Sequence, residues 1–395
     1  MTTLLVGQSG GATAVINASL IGVVEGALAT ARFDRILGMR HGIEGLLAGQ
    51  FVDLGRLPAV TLDALRQTPS AALGTSRHKV SDADLDQILA VLRDHEVRAF
   101  ILIGGNDSAD TAHRLHLHAT AVEYELAVIS VPKTVDNDLA GTDHCPGYGS
   151  MARFISNAAR DTTYDTLAAP KLYSLKFLEV MGRDAGWVAA STALGFSGDD
   201  SALAPLLCLP ERPPASVDTL LAAVEAMHSA RGWAVVVVPE TLRDAEGRHL
   251  GGETPAFVDA FGHPYFASPG AALVELAAQR LGVQARLEKP GGFARMAFGL
   301  ASPVDLDEAY RTGWAAAWRA AAGESDLMIA LNRLGDDPYV SDETVVPLAD
   351  VANQARVLPD AFIGPDGQSV TAAFRRYALP LLGPDALPPY ARLME

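Results

Sequence analysis

Asp107 and Lys133 each stand just beyond a run of apolar residues, where a buried strand would give way to a polar turn. Asp107 belongs to Gly104-Gly105-Asn106-Asp107-Ser108 and follows residues 100–103. Lys133 belongs to Pro132-Lys133-Thr134-Val135-Asp136-Asn137-Asp138 and follows residues 127–131. In an open α/β sheet the carboxyl ends of neighbouring strands frame the ligand crevice. Small residues there let a phosphate approach backbone N–H groups, and acids can hold a cation or accept a proton. Asp136 and Asp138 stand two residues apart, so one carboxylate can face a substrate hydroxyl and the other a divalent cation. Alone, Asp136-Asn137-Asp138 would read as an ordinary Asx turn. Lys133, Thr134 and a second acidic strand end beside it raise it above that.

Cations could complete such a site. Ser76-Arg77-His78-Lys79 follows Leu73-Gly74-Thr75, Met181-Gly182-Arg183 follows residues 175–180, and Arg286 and Arg295 bracket Lys289-Pro290-Gly291-Gly292. A single Arg is most often solvated. Several at element ends beside glycines suit phosphate, because the guanidinium fork matches its oxygens.

Other patterns carry less. Gly7-Gln8-Ser9-Gly10-Gly11 matches the G-x-S-x-G of a hydrolase elbow, but it sits on the first strand, ahead of any that could supply an oxyanion loop. A phosphate-cradling glycine turn is the stronger reading and a plain strand–helix turn the bland one. Gly147-Tyr148-Gly149-Ser150-Met151-Ala152 fits a dinucleotide fingerprint only on paper, since it follows the polar run Thr142-Asp143-His144-Cys145-Pro146 and not a strand. His113, His116 and His118 lack a thiolate or paired carboxylate at ligand spacing, which predicts an exposed helix end.

The elements that must position these groups alternate. Residues 4–6 read as a first strand, with Gly10-Gly11 turning into a helix over 17–27. Ser81-Asp82-Ala83-Asp84 starts a second helix, with Leu85, Ile88, Leu89 and Leu92 at helical spacing. This β-α-β-α-β order predicts a mostly parallel sheet with helices on both faces. The second half repeats it: a helix from Ser216 through Met227, a buried strand over 233–238 ending at Pro239-Glu240, and Ser268-Pro269 opening a helix through Leu281. An Ala-rich helix runs from Asp305 to about Ala322, followed by a strand over 327–331. Residues 241–267 read as a long surface loop.

At 395 residues the chain exceeds one ordinary domain, which predicts two lobes. A net charge of -16 weighs against a nucleic-acid surface. Cys145 and Cys208, without CxxC spacing, fit a reducing compartment. The first residues enter a strand without a basic n-region, and no apolar run approaches the roughly 18 residues of a membrane span. A cytoplasmic protein without membrane or nucleic-acid partners is the expectation.

Together these segments resemble the 6-phosphofructokinase family. The matching pieces are Gly10-Gly11 with Asn17, Ser76-Arg77, Gly104 to Ser108, residues 132–138, Met181-Gly182-Arg183, Pro239-Glu240 and the Arg286/Arg295 pair, in the family's order. The resemblance implies two Rossmann-like three-layer α/β lobes with mostly parallel sheets and an active site in the cleft between them. A phosphate-donor lobe would cover 1–150, closed by C-terminal segments at about 305–395, and a sugar-phosphate lobe 151–304. The reaction implied is reversible, Mg2+-dependent transfer of a phosphoryl group to the 1-hydroxyl of fructose 6-phosphate, in a homodimer or homotetramer. Asp136 matches the general base, and Lys133, Arg77 and Arg183 match cations at the transferring group and sugar. Gly10, Gly11, Gly105, Asp107 and Ser108 match the donor site. Thr134, Asp138, Met181, Gly182, Glu240, Arg286 and Arg295 match the sugar-phosphate site, and Asp107, Asp138 and Asn106 face the metal.

The donor turns on Asp107 and Lys133. ATP-using bacterial relatives typically carry glycine at both positions, whereas pyrophosphate users carry Asp and Lys. A carboxylate at 107 would crowd and repel the α-phosphate of ATP. Like charges 4 Å apart at an effective dielectric near 20 cost about 4 kcal/mol, roughly a thousandfold in affinity. Lys133 offers a cation to a compact diphosphate that has no nucleoside to anchor it. Pyrophosphate is therefore the expected donor. The alternatives are an ATP-dependent 6-phosphofructokinase and, from another class, a non-catalytic sugar-phosphate sensor, with a hydrolase built on Ser9 the remote third. Three positions depart from the family pattern: Asn106 replaces an Asp, Ser174 an Arg for which Lys171 or Lys176 could substitute, and Gly292 a His or Tyr. The last two leave room for another sugar phosphate, such as sedoheptulose 7-phosphate.

Overall fold

The computed structural model describes residues 2–76, 78–252, 254, 255, 257, 258 and 264–392. In chain order its strands are β1 Thr3–Gln8, β2 Arg35–Met39, β3 Phe51–Asp53, β4 Val97–Gly104, β5 Ala127–Pro132, β6 Leu175–Val180, β7 Leu206–Leu207, β8 Ala234–Pro239, β9 Phe257–Val258, β10 Pro264–Tyr265, β11 Ala285–Glu288, β12 Leu327–Asp336 and β13 Tyr339–Pro347. The chain forms two compact units. The first takes the residues up to Tyr148 and Arg295–Arg356; the second takes Gly149–Val258, Pro264–Ala294 and the residues from Val357. The stretch expected to close the first lobe, about 305–395, therefore divides at Arg356.

The first unit's sheet runs β13-β12-β5-β4-β1-β2-β3. Its pairs from β2 through β12 are parallel, and antiparallel neighbours occur only at its two margins. Helices cover both faces, so β1 and β5 are buried along their whole length, which explains their unbroken apolar runs. After β1 the chain moves to β2 on one side, while β4 lies on the other. The carboxyl ends of β1 and β4 therefore form a topological switch point, the place where such sheets bind ligands. The helix Ile16–Thr30 packs on Pro303–Ala321 at very short range. A Cβ on Gly22 would fall 2.0 Å from Tyr310 O, and one on Gly313 would fall 2.0 Å from Ser19 O. Ser81 and Asp84 form a capping box at the start of Asp82–Asp94.

The strand expected over 327–331 continues to Asp336 and pairs with β13 from Leu327 onward, and beyond Leu331 the residues of this hairpin alternate in exposure. That alternation has none of the solid apolar character of the buried strands.

The second unit's main sheet runs β11-β6-β8-β7, with parallel pairs throughout. Ser216 caps Val217–Arg231, and Ser268 with Pro269 opens Pro269–Leu281. The surface loop expected over 241–267, of which 253, 256 and 259–263 lie outside the described residues, is corrected in part. Leu242 and Leu250 are buried, Asp244 accepts backbone N–H groups from Glu246 and Arg248, and β9 pairs with β10. Two interior leucines anchor a folded turn where composition suggested only solvent. No helix among the described residues is long and apolar enough to cross a membrane.

Candidate active site

In the first unit, Lys133 joins three strand ends. Its backbone N–H donates to Gly104 O at the end of β4 (3.0 Å). Its side chain, 4 % exposed, reaches past β4 to the loop after β1, where Nζ donates to Gly11 O at 2.9 Å. The glycines of that loop are required by what approaches them. A Cβ on Gly10 (φ 77°) would stand 3.2 Å from Lys133 Nζ, and one on Gly11 would stand 2.5 Å from an Arg295 guanidinium nitrogen. Two cations thus pack where side chains would otherwise be. Arg295, expected with the sugar phosphate, lies in this unit against the glycine loop, and its carbonyl accepts the Ala14 N–H at 2.8 Å.

Gly105 is the N-cap of the helix Asn106–Ala121, which places Asp107 in the first turn and exposed, with Ser108 buried beside it. A long helix's N-terminus attracts negative charge through its free N–H groups and dipole. Asp107 supplies a carboxylate there, where an incoming phosphate would otherwise gain from the same field. Ser9 donates its N–H to Ile103 O (2.9 Å), extending the β1–β4 ladder instead of forming a sharp elbow.

The Asp136-Asn137-Asp138 turn is built around Asn137, which is buried and left-handed (φ 56°), a conformation Asn tolerates better than most residues. The Asn137 Oδ1 accepts the Cys145 N–H at 2.9 Å. Thr134 Oγ1 accepts the Asp136 N–H at 3.1 Å, so this hydroxyl supports the turn from its entry side. Gly147 packs on the other side: it bridges Thr134, and its φ of 109° belongs to glycine. The Gly147 N–H donates to the buried Asp305 carboxylate at 2.8 Å.

The loop that follows holds a buried ionic cluster. His144 donates from its two ring nitrogens to Asp143 (2.9 Å) and Glu308 (2.7 Å), both within the first unit. Burial opposes its charge, but the Glu308 and Asp143 carboxylates overcome that and push His144 up to about 9. Burial likewise opposes ionisation of Glu308 and Asp143, yet both are held below the usual carboxylate range by His144. Burial pushes the neighbouring Cys145 thiol up to about 12.

Among the described residues no cluster of three or more His, Cys, Asp or Glu side chains forms a ready metal cage. Mg2+ in phosphoryl-transfer sites needs none, because it uses one or two carboxylates plus waters and substrate oxygens. The Asn106 amide is satisfied when its nitrogen donates to Gln354 O (2.9 Å) and Val351 O (3.3 Å). Its other terminal atom, then the oxygen, faces Asp138 Oδ2 at 3.5 Å. An amide oxygen and a carboxylate set side by side are hard donors of the kind Mg2+ takes.

In the second unit, Met181, Gly182 and Arg183 follow β6, and Glu240 follows the adjacent β8, where its N–H donates to Val180 O at 2.9 Å. Gly182 (φ 130°) and the exposed Arg183 (φ 48°) make a strained turn, and a Cβ on Gly182 would lie 3.0 Å from Ala185 O. Glu211 steadies it, accepting the Gly186 N–H (2.9 Å) and the Leu358 N–H (2.7 Å). Arg286 is not part of this group. It pairs with Lys176 near the start of β6, five residues and some 16 Å below Met181 at ordinary strand rise, and its guanidinium stacks on Tyr173 at 3.9 Å. Lys176, considered as a substitute for the missing Arg at 174, is buried and paired with Asp165 and Glu288.

Arg77 lies outside the described residues. The segment before it is held by the buried Gln8 and Asn17, which accept the Leu73 and Ala72 N–H groups at 2.9 Å each, and Thr75 Oγ1 donates to Gly10 O at 2.7 Å. His113, His116 and His118 are not the exposed helix end their spacing predicted. They are half-buried and bond separately to Asp326, Ser325 and Asp86. Sequence inspection missed Gln8, Glu211 and Arg356; a polar residue ending an apolar strand was the available signal for Gln8, and the others gave none.

The phosphofructokinase family profile matches residues 3–320. The chain is 39% identical to pyrophosphate–fructose 6-phosphate 1-phosphotransferase of Xanthomonas campestris over 99% of its length and 96% of that protein's. It is 37% identical to the enzyme of the same name from Methylococcus capsulatus, over 97% and 92% of the two chains. Among solved structures, a pyrophosphate-dependent phosphofructokinase from Nitrosospira multiformis superposes with a TM-score of 0.88 at 32% identity, covering 99% of this chain and 94% of that one. With its switch-point glycine loop, its acidic strand-end turn and these full-length matches, the chain belongs to the phosphofructokinase family.

Proposed function

We propose that this protein is a phosphotransferase that moves a phosphoryl group reversibly from pyrophosphate to the 1-hydroxyl of fructose 6-phosphate, giving fructose 1,6-bisphosphate and phosphate. The observation that carries the donor is the buried Lys133 ammonium at the glycine loop, with the Asp107 carboxylate at the neighbouring helix start. A diphosphate finds cationic and backbone donors there, while a third phosphate extending past Asp107 meets like charge.

In this reading Asp136 accepts the proton of the 1-hydroxyl as its oxygen bonds to phosphorus and the bond to the leaving phosphate breaks. Lys133 and Arg77 bear the charge on the transferring group, and Gly10, Gly11, Gly105 and Ser108 line the donor. Met181, Gly182, Arg183 and Glu240 take the sugar phosphate. Positioning and charge neutralisation supply most of the acceleration in such transfers. Mg2+ held by Asp138, Asn106 and Asp107 would neutralise phosphate charge. A homodimer or homotetramer in the cytoplasm completes the proposal.

The test is an assay of fructose 1,6-bisphosphate formation by purified protein with Mg2+ and either pyrophosphate or ATP. Turnover with pyrophosphate alone supports the proposal, turnover with ATP alone replaces the donor, and sugar-phosphate binding without turnover favours the sensor.

A further inference from the structure

The Asp136-Asn137-Asp138 turn is gripped from a part of the chain that lies beyond the family match, which ends at residue 320. Arg356 donates from Nε and Nη2 to Asn137 O at 3.2 and 3.1 Å, and from Nη1 to Thr142 O at 2.8 Å and to Asp143 O. Its own backbone N–H donates to Asp138 O at 2.8 Å, and Ala355 bridges Leu139. One residue therefore takes the carbonyl oxygens of Asn137, Asp138, Thr142 and Asp143. The same short segment supplies Val351 O and Gln354 O to the Asn106 amide.

We infer that Arg356 is a positioning residue for phosphoryl transfer, fixing the peptide planes between which the Asp136 and Asp138 side chains project. The inference rests on the transfer reaction proposed above. Three points support it. Asn137 holds the turn in a left-handed backbone state, one of several open to Asn, and the Arg356 contacts fix the carbonyls on both sides of it. The Arg356 guanidinium donates to backbone carbonyls at these contacts, so it satisfies oxygens that the turn would otherwise leave poorly bonded. Finally, the three carbonyls are met from Nε, Nη1 and Nη2, separate nitrogens of one planar fork; a lysine has three donors but on a single nitrogen at the end of a flexible stem, and cannot reproduce that spacing.

The experiment compares wild type, Arg356→Ala and Arg356→Lys by steady-state kinetics, thermal unfolding and rescue with millimolar guanidinium chloride. Arg356→Ala should lower kcat about 30- to 100-fold, with KM for both substrates within about threefold, because displacing reacting groups costs rate more than binding. Guanidinium should restore kcat at least about fivefold in Arg356→Ala and leave Arg356→Lys, itself reduced about tenfold, unchanged. A folded Arg356→Ala with kcat within threefold of wild type, a loss confined to KM, or no rescue by guanidinium would overturn the inference. If the alanine variant does not fold, the lysine variant decides, and full kcat in it rejects the role. Ratios are taken to wild type with whichever donor it turns over, so a wrong donor and a wrong role for Arg356 are read separately.

Discussion

The two units arrange their polar residues in opposite ways. In the first, the groups expected to do chemistry stand at the ends of β1, β4 and β5, and the structure fixes them from beneath: Lys133 is buried, Asn137 is buried, and His144 with Glu308 forms an interior ion pair. In the second, Arg183 is exposed on a strained turn held mainly by Glu211, and Arg286 stacks on Tyr173 away from the strand ends. Buried, fully bonded charges are preorganised and cost little reorganisation when charge develops during transfer. An exposed arginine on a short turn suits recognition of a ligand that must enter and leave. Under the proposed roles, the reacting phosphoryl group would rest on a rigid floor and the sugar phosphate would meet a more adaptable surface.

That comparison can be broken in several places. Asp136→Ser should reduce turnover by about a thousandfold or more while circular dichroism and the unfolding midpoint stay near wild type; near-normal turnover would remove Asp136 as the base. Lys133→Met keeps the apolar stem and deletes the ammonium, and kcat/KM for pyrophosphate should drop about a hundredfold. A drop of only a fewfold would show that the buried cation supports the loop alone. Arg183→Lys should cost about tenfold in kcat/KM for fructose 6-phosphate, seen chiefly in KM, since the fork is lost and the charge kept. An effect as large as that of Lys133→Met would erase the contrast between rigid floor and adaptable surface.

The smallest effect concerns pH. His144 is raised to about 9, so its charged form stabilises the fold fully below its ordinary value near 6.5, and that contribution is lost as pH rises through about 9. The unfolding midpoint of wild type should therefore decline over that window by a few degrees more than that of His144→Gln. Parallel pH profiles for the two proteins would show that the buried ion pair contributes no pH-dependent stability.

The placement of the first unit's candidate residues at strand ends was largely legible in the sequence because they follow solid apolar strands. Residues 100–103 and 127–131 announce buried parallel strands, and whatever stands next must lie at a carboxyl edge. The caps Ser81, Ser216 and Ser268 were equally plain, because each lies directly before a helical pattern. The hairpin of β12 and β13 was not, since a strand exposed on alternate residues resembles polar loop. The supports of the turns were hidden for a different reason. Arg356 lies 220 residues after Asp136 in the chain and looks like any surface arginine, and nothing local marks Glu211. Arg295 was recognised as a cation, but chain order does not reveal that it packs against Gly11.

If the carboxylate at 107 sets the choice of donor, the ratio of kcat/KM for pyrophosphate to that for ATP reads it without an intermediary. This should be measured side by side in wild type and Asp107→Gly. The ratio should strongly favour pyrophosphate in wild type and fall by about ten- to a thousandfold in the variant as ATP use improves. A wild type that prefers ATP, or a ratio unmoved by the glycine, would contradict it.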